Sequence, residues 1–265
     1  RQRSGLSHKG LCVCPMCRPG ANRSGQRLVT DQSANAQGLN FMKYTWKLAA
    51  AAAALAMSGT ASAGSGDGRI QVKAMATLVA PDGKITSIEL DNIGLPAGTQ
   101  TEADDKFVPT IAAEYFFTPN LSLETICCVT QHDVTGTGPL AGAGLVSNAN
   151  IIPATLTAKY HLVTGSGFKP YIGAGPTYFI FIDEKAGATA RALGATRQKM
   201  NDKVGFALQV GFDLPLNDTG LGLSVDAKRY FVNTTARWYA GQTEVLRTRH
   251  RIDPWVISAG LAYRF

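Results

Sequence analysis

Cys12, Cys14 and Cys17 stand in a Cys-x-Cys-x-x-Cys spacing near His8, residue types that hold a zinc ion. A structural zinc site needs four ligands. No fourth lies at a matching spacing, so no metal is expected. His132-Asp133, His250 and Ser147 supply a base, a carboxylate and a hydroxyl. Nucleophilic attack on a lipid would need them together at one rim, but no motif joins them. No catalytic residue and no cofactor is implied. Cys127 and Cys128 are neighbours in an alternating stretch, where successive side chains diverge, so neither a disulfide nor a redox role follows.

The chemistry that does recur is charge set into apolar alternation. Lys73, Glu114, Glu124, Lys159, Asp213 and Arg264 each fall on one face of a segment whose other face is apolar. Residues 64–265 show no convincing period of 3.6. Eight stretches of about ten residues alternate instead, at 69–80, 107–117, 121–130, 153–162, 171–182, 203–214, 220–231 and 252–265. In the last, Trp255, Ile257, Ala259, Leu261, Tyr263 and Phe265 share one face, opposite Val256, Ser258, Gly260, Ala262 and Arg264.

The composition narrows the class. The 265 residues are 45% hydrophobic and 17% charged with 5 Cys, which excludes a disordered tail and a disulfide mini-scaffold. The net charge of +7 invites a nucleic-acid reading only if it is spread along the chain. It is not: residues 1–63 carry eight Lys/Arg against Asp31, while residues 64–265 carry 18 bases and 18 acids. A nucleic-acid partner is therefore not expected. Met42 to Lys47 is cationic, Leu48 to Met57 is an Ala-rich apolar run, and Ala61-Ser62-Ala63 is a small-x-small site. That layout predicts a signal peptide over 42–63, cut after Ala63. The run is about half the length a membrane helix needs. Residues 1–41 are expected to be an upstream extension, disordered or read from a misplaced start codon.

The connections then choose the architecture. Residues 81–106, 131–152, 183–202 and 232–251 are long, whereas 118–120, 163–170 and 215–219 are short. An even number of ten-residue strands, with short turns at one end and long loops at the other, predicts an all-β fold. It is an eight-stranded antiparallel transmembrane β-barrel of outer-membrane type. A sheet exposed to lipid must close on itself. Phe107, Phe116, Phe117, Tyr171, Phe179, Phe181, Tyr230, Phe231, Trp255, Tyr263 and Phe265 are expected to form two interfacial girdles. A soluble lipocalin-like barrel shares the periodicity. Loop asymmetry favours the membrane barrel, as does the terminal Tyr263-Arg264-Phe265, which resembles the signal read by the barrel-assembly machinery.

Lys169-Pro170-Tyr171-Ile172-Gly173-Ala174-Gly175 with Tyr178 to Asp183, Gln209 to Asp213, Asp226 to Tyr230 and Asp253-Pro254-Trp255 to Gly260 resemble segments of the OmpW family. Ile152-Pro153-Ala154-Thr155-Leu156 is similar to that family's Pro-Pro-Thr-Leu pattern. The resemblance covers 64–265. It implies an eight-stranded barrel that passes small hydrophobic molecules, with alkane-uptake proteins among its relatives. One departure is Val204, where family members often carry a Trp linked to a luminal gate.

Export leaves the start of residues 64–265 on the periplasmic side, so odd strands rise and depth can be assigned. The lower lumen is expected to hold the polar plug Lys73, Glu114, Glu124, Lys159, Asp213 and Arg264, with Gln71, His161 and Gln209. The upper lumen is expected to be lined by Met75, Val79, Val108, Thr110, Ile126, Cys128 and Val256, joined by Tyr178, Ile180 and Ile182. Asp226 and Lys228 fall near mid-depth. Such a barrel encloses space for side chains or one small ligand. An apolar cup over a charged floor suits a hydrophobic guest that leaves sideways into the bilayer. Pro109, Pro153 and Pro176, lacking an N–H, are the candidate break points. The competing functions are a passive channel for small hydrophobic molecules, a structural or receptor barrel, and a lipid-acting enzyme. The second would contact phage, bacteriocins, host surfaces or lipopolysaccharide through loops such as Gln131 to Ile151.

Overall fold

A computed structural model describes residues 68–162, 167–182 and 185–265. The expected signal peptide over 42–63, and residues 1–41 with their three cysteines, lie outside the described residues. β1 (Ile70–Ala80) rises from the rim that carries the short turns and continues above it as β2 (Lys84–Asp91). β3 (Gln100–Ala103) and β4 (Lys106–Phe116) descend, β5 (Leu121–Cys127) and β6 (Thr130–Thr137) rise, and β7 (Gly144–His161) returns in one run. β8 (Lys169–Ile182) and β9 (Lys185–Ala186) lead up to helix α1 (Ala188–Ala192); β10 (Arg197–Met200) and β11 (Lys203–Pro215) lead back. β12 (Leu221–Phe231) and β13 (Asn233–Ala240) form the last ascent, with β14 (Thr243–Arg251) and β15 (Trp255–Arg264) the last descent.

Eight of these close a barrel. The order β5-β4-β1-β15-β12-β11-β8-β7 is antiparallel throughout, and β7 pairs β5 to complete the ring. The periodicity located all eight strands. Alternation then sorts the side chains: Lys73, Met75, Thr77 and Val79 of β1 are buried in the lumen, while Ala74 and Ala76 face out. Outward aliphatics such as Leu208, Val210, Ile257 and Leu261 make the lipid-facing band. Phe107, Phe231 and Trp255 edge it above; Phe117 and Tyr263 edge it below. The expected girdles need correcting, because Phe116, Tyr171, Phe179, Phe181 and Tyr230 are buried inside. An aromatic near a strand end belongs to whichever face its register sets, and aromatic content alone does not report that face.

The long outer connections also differ from expectation, since much of their length is strand. β10-β13-β14-β2 form one four-stranded sheet, and β3, β6, β7 and β9 continue the wall opposite. At the β2–β3 seam the Gln100 side chain takes the role of a strand: its Oε1 accepts from Ile85 N (3.0 Å) and its Nε2 donates to Ile85 O (3.2 Å). Between the sheets Val146, Ala149, Ala186, Trp238 and Leu246 form a second apolar cluster. The barrel therefore continues above the lipid-facing band as a packed outer tier.

A packed tier protects its amides. Hydrogen exchange on the barrel in lipid should find Asn233–Ala240 and Thr243–Arg251 slowed by at least about a hundredfold over free peptide rates. Exchange of these two strands at peptide rates would show mobile loops instead.

Candidate functional site: a charged floor beneath an apolar column

Below mid-height the lumen is filled by charge. Lys73 Nζ lies 2.9 Å from Glu114 Oε2 and 3.0 Å from Glu124 Oε2. Lys159 Nζ lies 2.8 and 3.0 Å from the same two oxygens. Register explains the arrangement. Glu114 on β4 and Glu124 on β5 are direct cross-strand partners, and like charges so placed repel. Lysines from β1 and β7 convert that repulsion into a closed square of alternating sign.

Further groups complete the floor. Lys228 reaches Glu124 Oε1 and Asp226 Oδ1, each at 3.1 Å, and Lys73 approaches Asp213 Oδ1 at 3.5 Å. Glu114 Oε1 accepts from Ser122 Oγ (2.5 Å) and contacts His161 Nε2 (2.8 Å). Gln209 donates to Glu124 Oε1 (3.0 Å), and Gln71 to Asp213 Oδ2 (3.2 Å). The Lys159 ammonium sits 3.6 Å from the centre of the Tyr171 ring. Gly173 makes room for this, since a Cβ there would stand 2.9 Å from Lys159 Cγ. Arg264 covers the Phe116 ring at 3.7 Å. Counted with Arg264, four cations oppose four anions, and all eight barrel strands contribute a side chain. Buried charge is tolerable only when paired and hydrogen-bonded in this way.

Above the floor the lumen changes character twice. A mixed layer comes first, where Met75, Ala112 and Ile126 pack together while Thr77 Oγ1 donates to Ser258 Oγ (2.9 Å) and the Thr155 and Thr177 hydroxyls bond at 2.8 Å. Then Val79, Ile151, Phe179, Phe181 and Val256 pack as one apolar cluster. Three adjoining cavities run from here to the outer rim. The lower two share Pro81, His132, Ile151 and Ile252; the upper two share Thr101, Leu145, Trp238 and His250. The result is a mostly apolar column standing on a charged base.

The sequence-assigned residues fall as follows. Val79 and Val256 line the lowest cavity, and half-buried Val108 packs beside them. Met75 and Ile126 sit lower, in a separate small cluster with Ala112. Thr110 is buried. Lys73, Glu114, Glu124, Lys159, Asp213 and Arg264 are all buried. Tyr178 and Ile180 need correction, as does Ile182. Phe179 and Phe181 face the lumen, leaving Tyr178 43% exposed on the outside. Both faces of β8 are apolar, so alternation specified no direction there. Val204 is 74% exposed on the outer face, so it lines no gate. The second cavity was missed altogether, because its walls are strands within segments read as loops. The alternation of Arg247, Arg249 and Arg251 with buried Thr248 and His250 was the available signal. His132 and His250 both face that cavity, whereas Asp133 is exposed and Ser147 lies outside its lining.

The three prolines differ sharply. The β4–β5 register runs from Phe116↔Ser122 to Ile111↔Cys127 and ends there. The wall rejoins higher up, where Asp104 N donates to Asp133 O (3.2 Å) and Asp133 N to Asp104 Oδ1 (2.8 Å). Between these points β4 carries Pro109 and the 78% exposed Phe107 along a wall where the strand register lapses. Pro153 is buried and lines the lowest cavity. Pro176 falls where the β7–β8 pairing skips from Thr155↔Thr177 to Ala158↔Ala174 with its register unchanged. That spot is tightly shut, since a Cβ on Gly175 would lie 2.0 Å from Leu156 O.

Residues 66–265 match the OmpW family. The chain belongs to that family. An uncharacterised outer-membrane protein, y4mB, of Sinorhizobium fredii is 33% identical over 199 residues, 74% of this chain and 79% of that protein. Outer membrane protein W of Vibrio cholerae is 33% identical over 57% of this chain and 70% of its own length. The crystal structure of OprG from Pseudomonas aeruginosa superposes with a TM-score of 0.66 at 27% identity, covering 76% of this chain and 98% of that one. This OmpW-family chain is thus an outer-membrane β-barrel.

The floor makes a direct prediction. Glu124→Gln leaves three lysines short of a counter-charge and should lower unfolding free energy by about 3–5 kcal/mol, read from urea unfolding in lipid vesicles. Asp218→Asn, in an exposed turn, should change it by less than about 0.5 kcal/mol. Equal effects of the two would show that the square carries no special weight.

Proposed function

We propose that this OmpW-family barrel passes small hydrophobic molecules passively from the cell exterior into the outer membrane, without cofactor, energy source or catalytic residue. The observation that supports this best is the ending of the column: apolar walls lead inward from the outer tier and stop at a sealed ionic base. A hydrophobic guest gains roughly 25 cal/mol for each Å² it buries on the way in. Going further down means parting buried ion pairs, at several kcal/mol. Moving sideways into hydrocarbon carries no comparable cost.

The exit we favour is the β4–β5 seam beside Pro109. An open sheet edge facing lipid leaves backbone groups unsatisfied, and proline removes one donor from that edge. The Phe107 ring beside it faces outward toward lipid. Pro153 then belongs to the cup wall and Pro176 to a tightly closed stretch of wall. In this reading the outer surface meets phospholipid and lipopolysaccharide, and the terminal Tyr263-Arg264-Phe265 serves the barrel-assembly machinery.

Uptake of N-phenyl-1-naphthylamine tests the reading in intact cells, where the lipopolysaccharide leaflet is the barrier. Cells displaying the barrel should accumulate this apolar probe several-fold faster than controls and gain nothing for arabinose. Val108→Lys puts a charge beside the upper cluster and should return uptake to the control rate while the protein keeps its heat-modifiable mobility. Undiminished uptake by Val108→Lys contradicts the route, and absence of any gain contradicts the function.

A further inference from the structure

The middle cavity of the column holds polar atoms that the rest of its lining does not call for. Gln198 on β10 is 2% exposed, and among the described residues neither its Nε2 nor its Oε1 has a hydrogen-bond partner. His132 on β6 is equally buried, and its Nε2 likewise has none. Both side chains line the same cavity, amid Val146, Ile151, Met200 and Trp238. Leaving a buried amide or imidazole nitrogen unsatisfied is costly, so groups kept this way point to something that completes them.

The two groups are chemically specific. His132 Nδ1 lies 2.7 Å from the Asp104 carbonyl oxygen, an acceptor, so Nδ1 carries the proton. Burial holds the ring's pKa below the usual histidine range despite nearby Asp104, so the ring is neutral. His132 Nε2 therefore presents a lone pair to the cavity. The Gln198 amide presents N–H donors and a carbonyl acceptor. A carboxylate has no proton for the His132 lone pair, and a hydrocarbon satisfies neither residue. A hydroxyl does both jobs, donating to His132 Nε2 and accepting from Gln198 Nε2.

Resting on the uptake reading above, we propose that this cavity is a head-group site for neutral alcohols, an apolar body lying in the column and its hydroxyl held between His132 and Gln198. The barrel then selects hydroxylated apolar molecules over plain hydrocarbons of equal length. His250, on the same cavity wall, is not part of the site, because its Nε2 already bonds Thr248 Oγ1 at 2.7 Å.

The test is an equilibrium one and needs no transport. The barrel, ¹⁵N-labelled at histidine and set in lipid nanodiscs, is titrated with 1-octanol or with n-octane. Octanol should move the unprotonated Nε2 resonance of His132 saturably, and octane should leave it in place. Gln198→Leu removes the second partner and should weaken octanol binding by about tenfold, the worth of one neutral hydrogen bond. An unmoved Nε2 resonance, an equal response to octane, or unchanged octanol affinity in Gln198→Leu each overturns the head-group site. The outcome stands apart from the uptake assay: a barrel that passes the naphthylamine probe yet shows no octanol response is a channel without this site.

Discussion

Two carboxylates facing each other across adjacent strands are the constraint from which the rest follows. Glu114 and Glu124 are register partners in the lumen, where repulsion between them is poorly screened. They are tolerable only because Lys73 and Lys159 arrive from the strands on either side, each touching both. That requirement fixes β1, β4, β5 and β7 relative to one another. Lys228, Gln209 and Tyr171 then tie in the far wall. The floor is thus both the ring's internal brace and the stopper of the lumen.

With the base closed, the space above has a different task. The mixed layer grades the lumen from ionic to apolar, and the outer tier lengthens it well beyond the lipid-facing band. Where the β4–β5 register lapses, a wall otherwise bonded strand to strand changes character. The lapse lies beside the apolar cluster and away from the charged square. In the proposed route these three features form one path: down the column, against the floor, and out through the wall.

Much of this was legible in the sequence because a strand in a small barrel has only two faces. Where one face is charged or small and the other aliphatic, as in β1 and β15, alternation assigned which face each side chain takes, though not its depth: Met75 sits below the cluster that holds Val79. β8 defeated the same logic, since Phe179 and Phe181 are as apolar as Tyr178 and Ile180. Only the register with β7 and β11 decides between them. The outer tier was read as loops because Gly and Asn break its strands into short pieces. Its pairings join segments distant in sequence, such as β2 with β14. The unpartnered atoms of Gln198 and His132 are a tertiary fact, invisible until both residues meet at one cavity.

The central claim is that a hydrophobic guest occupies the lumen above the ionic square and never below it. Anomalous diffraction from crystals of the barrel soaked in 1-bromooctane locates such a guest directly. The account predicts bromine density among Val79, Phe179 and Val256, with none on the periplasmic side of Glu124. Bromine beneath the lysine–glutamate square, or a lumen holding an unbroken water column from rim to rim, would contradict it.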